Sequence, residues 1–387
     1  MLVNDGSMRV DEVIVVGGGI AGCATAYYLA RDGVAVTLVE QAGLSGLASS
    51  ANAGSLHAQI PHDPFRNLGP EWAQNYAQAI PFYMASLDIW RTLEAELGAD
   101  LEIGFGGGLL VGATDAEMAE IAAKAQVERA AGLPMELLDS RSLREHAPYL
   151  SESLIGGALC PIEGKANPML VAPAFARAAQ AAGAQIASYS GPAALRREAG
   201  AYTVTTDTGR YTADRIVIAA GSASGALTQS LGVTLGVQAF PIQVSVTEPA
   251  APLIKHLVYS AGEKLTMKQT RAGSILIGGG WSARLDREGR PVVDVDNLAQ
   301  NLSLARAAVP AIGGLKLVRS WAAFVNGTDD WLPILGELPG APGVFLNYVP
   351  WMGFTGGPAA ARAIASMVQG KAPPMAAPFD AFRPRAG

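Results

Sequence analysis

The stretch Val13-Ile-Val-Val-Gly17-Gly18-Gly19-Ile20-Ala21-Gly22 decides the fold. A short β-rich run from Glu12 to Val16 enters three glycines, and a helix of small residues follows from Ile20 to Arg31. Asp32-Gly33 is its stop signal, and Val34 to Val39 is a second, almost wholly apolar run of the kind a buried parallel strand requires. Strand, glycine turn, helix and strand make a βαβ unit. Gly17, Gly19 and Gly22 take the positions of a GxGxxG fingerprint. The first permits the tight turn, the second lets backbone approach a pyrophosphate, and the third brings helix close to strand. The helix opening at Ile20 and Ala21 points its free N–H groups and positive dipole end at the phosphates. Glu40 ends the second strand, where a carboxylate can accept hydrogen bonds from both ribose hydroxyls and repels a 2′-phosphate. Gln41 beside it is a further candidate contact. Strand, helix and acid in this order predict dinucleotide binding; the motif alone leaves FAD and NAD open.

Composition narrows the class. Of 387 residues, 50% are hydrophobic and 16% charged, which predicts a compact chain of two intertwined domains. A net charge of −6 with no basic run argues against nucleic-acid binding. No stretch approaches 18 uninterrupted apolar residues, so no transmembrane helix is expected. Met1 to Val10 lacks the apolar core of a signal peptide, and Met8 reads as an alternative start preceded by a frayed extension. Cys23 and Cys160 are isolated, with no CxxC, no metal or iron–sulfur spacing and no disulfide framework. A reduced, cytoplasmic setting is expected, and an iron–sulfur centre would have to sit on another chain.

Along the rest of the chain, 41–70 reads as loop, while 71–98, 114–131, 167–183 and 297–308 read as helices. Apolar runs at 184–190, 201–220, 240–248, 255–260, 264–270 and 274–279 read as strands. The last segment reads as strand (Val344 to Tyr348), glycine-rich loop (Trp351 to Gly357) and helix (Pro358 to Val368). This order predicts an α/β Rossmann-type domain closed by both chain ends, with an inserted antiparallel-sheet α+β domain. The expected bounds are 8–80, 145–230 and 325–387 for the first domain, and 81–144 and 231–324 for the second.

Three further blocks separate FAD from NAD. They are Ala48-Ser49-Ser50-Ala51-Asn52-Ala53-Gly54; Ala213-Asp214 to Ala220-Gly221-Ser222; and Thr328 to Gly336 with Gly343 and the Gly353-Phe354-Thr355-Gly356-Gly357-Pro358 turn. On these blocks the chain resembles the D-amino-acid-oxidase-like FAD-dependent oxidoreductases, which include glycine and sarcosine oxidases, D-amino-acid dehydrogenases and opine oxidase β subunits. The resemblance implies a glycine oxidase-like fold and places Ala48, Ser49, Ser50, Ala53 and Gly54 along the pyrophosphate and flavin, Ala220 and Gly221 under the ribose, and Pro192 near adenine. A glycine turn opening a helix at Gly353, Phe354, Thr355 and Gly356 presents backbone N–H groups able to stabilise charge at the flavin pyrimidine edge.

The resemblance also implies oxidation of a CH–NH bond by hydride transfer to flavin N5, giving an imine that water hydrolyses. Relatives attach FAD covalently through a Cys near the last block or an early His; Asn52 stands at that early position, so non-covalent FAD is expected. Fast oxidases resemble this chain around Ser274 to Gly278 but carry a Lys where Leu276 stands, which favours a dehydrogenase passing electrons to a quinone or partner subunit over direct use of oxygen. Lys268 on the preceding strand is the alternative cation. Glycine oxidases resemble it at two arginine positions that here are Val325 and Trp351, so a simple amino-acid substrate is not expected. Lys268 and Arg271 are the preferred carboxylate anchors, with Arg284 and Arg319 as alternatives. Trp281, Tyr348, Trp351 and Phe324 form a candidate aromatic pocket, while Trp321 and Trp331 read as core. His57 either orients substrate or moves a proton, or is a satisfied structural residue. The leading substrate is an N-substituted amino acid, opine or imino acid; a primary amino acid or amine, and an FAD-binding electron-transfer subunit of a homo- or hetero-oligomer, are the alternatives.

Overall fold

A computed structural model describes residues 9–198 and 200–385. Met8 and the extension before it lie outside the described residues. Two eight-stranded sheets organise the chain. In the first, Arg9–Val16 lies between Val36–Val39 and Arg210–Ile218, parallel to both. Gln185–Ala187 and Val344–Tyr348 extend it in parallel on either side, and Ile334–Glu337 closes one edge antiparallel. Val13 to Val16 are buried because helices cover the sheet, as the continuous apolar run requires. Ile20–Arg31 packs between Pro168–Ala181 and Gly353–Val368, and alanine in all three, with glycine in Ile20–Arg31 and Gly353–Val368, lets the helices approach closely. The chain ends thus meet in one layer.

The second sheet runs in the order Leu317–Thr328, Val237–Pro249, Ser274–Gly278, Thr266–Gln269, Leu257–Ser260, Gly108–Gly112, Gly156–Cys160, Glu136–Asp139. Its strands pair antiparallel except Leu257–Ser260 with Gly108–Gly112.

Several expectations shift. Gly156–Cys160, inside the 145–230 segment assigned to the first domain, belongs to the second sheet. Its glycines permit this: a Cβ on Gly157 would lie 2.5 Å from the Leu110 carbonyl oxygen. Ile80–Leu97, assigned to the second domain, instead packs on Gly353–Val368, where Ser86 and Trp90 donate hydrogen bonds to the Thr355 carbonyl. The 41–70 loop contains a short helix, Ala48–Ala51, and the start of the helical span His62–Ala77. The glycine-rich loop before Pro358 is already helix from Gly353. Leu317–Thr328 had no strand expectation, since its half-buried residues show no alternation.

Candidate active site

The glycine turn builds the first half of the site. Gly17 has φ of 113°, and a Cβ there would lie 2.4 Å from the Ala219 carbonyl oxygen. A Cβ on Gly22 would lie 1.8 Å from the Gly17 carbonyl oxygen, so the helix meets the strand only without side chains. Glu40 accepts hydrogen bonds from the backbone N–H of Gly18 (2.6 Å) and of Ala42 (2.8 Å), which fixes its carboxylate at the strand end. Ser49 Oγ accepts from the Ile20 N–H at 2.9 Å, bringing the 48–52 segment over the helix N-terminus.

These groups line a cavity of about 580 Å³. It runs from Glu40, Gln41, Pro192 and Ala193 past Gly17, Gly19, Ile20 and Ala21 to Ala48, Ser49, Ala220, Gly221, Gly353 and Phe354. A dinucleotide fits the trough: side-chain-free backbone faces its middle, a fixed carboxylate stands at the ribose end, and two helix N-termini open onto it. Ser50 lies outside, its hydroxyl donating to the Leu47 carbonyl. Gly54 (φ of 74°), where a Cβ would meet the Ala166 carbonyl oxygen at 2.2 Å, is a close backbone crossing. Gly22 and Gly356 are packing positions, the latter against Phe82, Tyr83 and Val349.

A second cavity of about 590 Å³ shares Ala48, Ala51, Asn52, Phe324, Trp351 and Phe354 with the first, so the two adjoin. Ala53, His57 and Thr355 line it. Thr355 Oγ1 donates to the Ser55 carbonyl and accepts the His57 N–H, both at 3.1 Å, tying the helix start to the extended segment opposite. His57 is half-buried; desolvation and the Lys268 charge push its imidazole down to about 3, so it is neutral. Its ring stacks on Tyr259 at 6.2 Å.

Lys268 is 1% exposed and donates to Ser55 Oγ at 2.6 Å, one hydrogen bond behind the cavity wall. Burial and neighbouring Lys165 push its ammonium down to about 7. Lys268 pairs across the ladder with Leu276, and paired residues share a sheet face. A cation from the adjacent strand therefore stands beside the position where Leu276 lacks one.

Trp351 lines both cavities and lies between Trp331 (4.2 Å, 14°) and Phe240 (5.1 Å, 26°). Trp321 and Trp331, read from sequence as core, both line the second cavity; Trp321 Nε1 donates to the Ala51 carbonyl at 2.7 Å. Two expected pocket residues fall elsewhere. Trp281 donates to the Lys264 carbonyl, outside both cavities. Tyr348 is buried, its hydroxyl donating to the Gln238 or Gly327 carbonyl, and it joins two sheets. Arg271, preferred with Lys268 as an anchor, falls outside and pairs with Asp100; the alternatives fall outside too, Arg284 pairing with Asp294 and Arg319 lying over the Trp321 ring. Tyr259, Gln59, His62, Arg66 and Lys124 line the second cavity without having been singled out. For Gln59 the signal was the alternation Ser55, His57, Gln59, readable once Ser55–Leu56 is known to be extended.

A βαβ sheet whose glycine turn meets a second sheet across two adjoining cavities defines a dinucleotide-dependent enzyme. Residues 12–367 match the FAD dependent oxidoreductase family, and the chain belongs to it. It is 27% identical over 341 residues to glycine oxidase of Bacillus subtilis (strain 168), covering 85% of this chain and 84% of that one. It is 27% identical over 374 residues to sarcosine oxidase subunit beta of Rhizobium meliloti (strain 1021), covering 94% and 85%. The crystal structure of glycine oxidase from Geobacillus kaustophilus superposes with a TM-score of 0.83 at 25% identity, covering 97% of this chain and 98% of that one. The expected cofactor and fold class hold. Among the described residues no helix is long and apolar enough to cross a membrane.

Proposed function

We propose that the chain oxidises the CH–NH bond of an N-substituted amino acid, opine or imino acid to an imine, which water then hydrolyses. One observation carries this reading. The second cavity adjoins the cofactor trough along an aromatic wall, with Val325 and Trp351 where an arginine pair would hold a small amino acid, and a buried ammonium, Lys268, behind Ser55. Bound FAD supplies the hydride acceptor. The trough residues hold it, and the Gly353–Val368 N-terminus offers N–H groups toward the ring. Trp321, Phe324, Trp331 and Trp351 exclude water from the reacting carbon. Lys268 and Ser55 anchor the carboxylate, and neutral His57 hydrogen-bonds the amine. Attachment is non-covalent: Cys23 is buried against the Gly18 carbonyl, its thiol pushed up to about 12 by burial, and Cys160 is buried too.

Electron disposal has two readings. Leu276 favours a dehydrogenase delivering to a quinone or partner subunit. Lys268, directly across from it, favours oxygen. Turnover of Lys268→Met with oxygen and with a dye separates them: loss of the oxygen rate alone marks an oxidase. The substrate reading is tested by anaerobic flavin bleaching with N-alkyl, N-carboxyalkyl, cyclic imino and primary amino acids. Bleaching by the substituted acids supports it, and a flavin indifferent to every amine would mark an electron-transfer subunit.

A further inference from the structure

Resting on that reading, we infer that the end of the second cavity remote from Lys268 is a subsite for a second acidic group, so that the substrate is a dicarboxylic secondary amine. Ser55, His57 and Gln59 line the cavity, while Leu56 and Ala58 between them are fully buried on the other side. Each end of this segment holds a buried ammonium. Ser55 Oγ accepts from Lys268, and Gln59 Oε1 accepts from Lys124 at 3.2 Å.

Lys124 lines the cavity with its side chain 2% exposed. It donates to Gln59 and to Glu128 Oε1 (2.6 Å), which leaves one of its three ammonium protons. His62 is beside it, 7% exposed; its Nε2 lies 3.2 Å from Glu120 Oε2 without an aligned hydrogen bond, and Nδ1 has no partner among the described residues. Arg66 completes the group, braced by the Ala261 and Gly262 carbonyls and by Glu120. His62, Arg66 and Lys124 all line the same cavity, and burial, followed by the Lys124 and Arg66 charges and opposed by Glu120, pushes the His62 ring down to about 4. The acids nearby are committed or outside. Glu128 and Glu163 are buried off the wall, Glu163 accepting from Ala58, Gln59 and Tyr259; Glu120 pairs with Arg66 and faces His62, Asp63 pairs with Lys264, and Glu263 is exposed. Two buried nitrogen groups, Lys124 and His62, beside half-exposed Arg66 suit an anion on this stretch of wall.

The span fits. Ser55 and Gln59 are four positions apart, at most about 14 Å of chain. Subtracting two charge-assisted hydrogen bonds of about 2.8 Å leaves up to about 8 Å. Two carboxylates joined through C–N–C place their outer oxygens about 7 Å apart.

The test uses the FAD-loaded enzyme and two inert acids. Glutarate is the carbon isostere of N-carboxymethylglycine, and butyrate that of N-methylglycine. Titrated against the flavin absorption spectrum, glutarate binds at least about tenfold more tightly, the worth of one charged hydrogen bond. His62→Gln and Arg66→Gln each bring the two acids to within about threefold. These variants are read because Lys124→Met would strip buried Glu128 of its partner. Equal binding, no glutarate binding, or a preference that survives both substitutions overturns the subsite. Flavin reduction separates this from failure of the parent reading: bleaching by N-methylglycine with no glutarate preference removes only the subsite, whereas no bleaching by either amine removes the reading beneath it.

Discussion

Lys268 carries its charge at a cost. Its pKa lies at about 7 in the fold against an ordinary 10.5, because burial and Lys165 disfavour the ammonium. The unfolded chain therefore binds this proton more tightly, and stability is reduced below pH 7 and recovered as pH rises from 7 toward 10.5. Lys268→Met should raise the melting midpoint at pH 6 and flatten its rise with pH, by calorimetry. The same substitution should raise KM for acidic substrates about tenfold or more, and in the unsubstituted enzyme that KM should climb as pH passes 7. An unchanged KM would remove Lys268 as the anchor. Trp331 and Trp351 both hold positive φ, 64° and 52°, a conformation costing bulky side chains roughly 1–3 kcal/mol each. Their mutual stacking offsets part of that cost. Trp351→Arg breaks the stack and supplies the missing guanidinium. The ratio of glycine to N-alkylglycine reduction rates should rise several-fold, and a ratio that stays put would contradict the assignment of position 351 as a selectivity determinant.

The glycine turn and its helix are the elements most legible in the sequence. Gly17, Gly19 and Gly22 record where backbone touches backbone, and a spacing of glycines survives in one dimension. Gly22→Val should yield a chain purified without flavin, read from its absorption spectrum, because a Cβ 1.8 Å from the Gly17 carbonyl separates helix from strand. Flavin retained at full stoichiometry would show that the contact relaxes. The helix that opens toward the cofactor was legible in part: Gly353-Phe354-Thr355 was marked as a turn, though it is already the first helical turn. Leu317–Thr328 was hidden, since it is half-buried on both faces and so lacks period-two alternation. With that strand unseen, Trp321 was read as core, while Phe324, expected in the pocket, does line it.

At the scale of the molecule the two halves of the site differ in kind. The trough is built by one βαβ unit and by chain ends returning to it, so its residues cluster in motifs. The second cavity is assembled from segments far apart in the chain: Ser55 to Arg66, Lys124, Tyr259, Thr266, Trp321 to Val325, and Trp331 to Thr355. Lys268 beside Leu276, or Lys124 beside Gln59, is a relation of strand register and helix packing that no spacing in sequence records. That is why Trp281 and Tyr348 were expected in the pocket and lie outside it, while Trp331 was expected in the core and lines it. That the adjoining cavities serve a substituted amine is tested most directly by anaerobic stopped-flow reduction of the bound flavin. N-alkyl and N-carboxyalkyl amino acids should bleach it at least about tenfold faster than glycine or alanine at equal concentration, the effect of about 1.4 kcal/mol in barrier. Faster bleaching by the primary amino acids would contradict it.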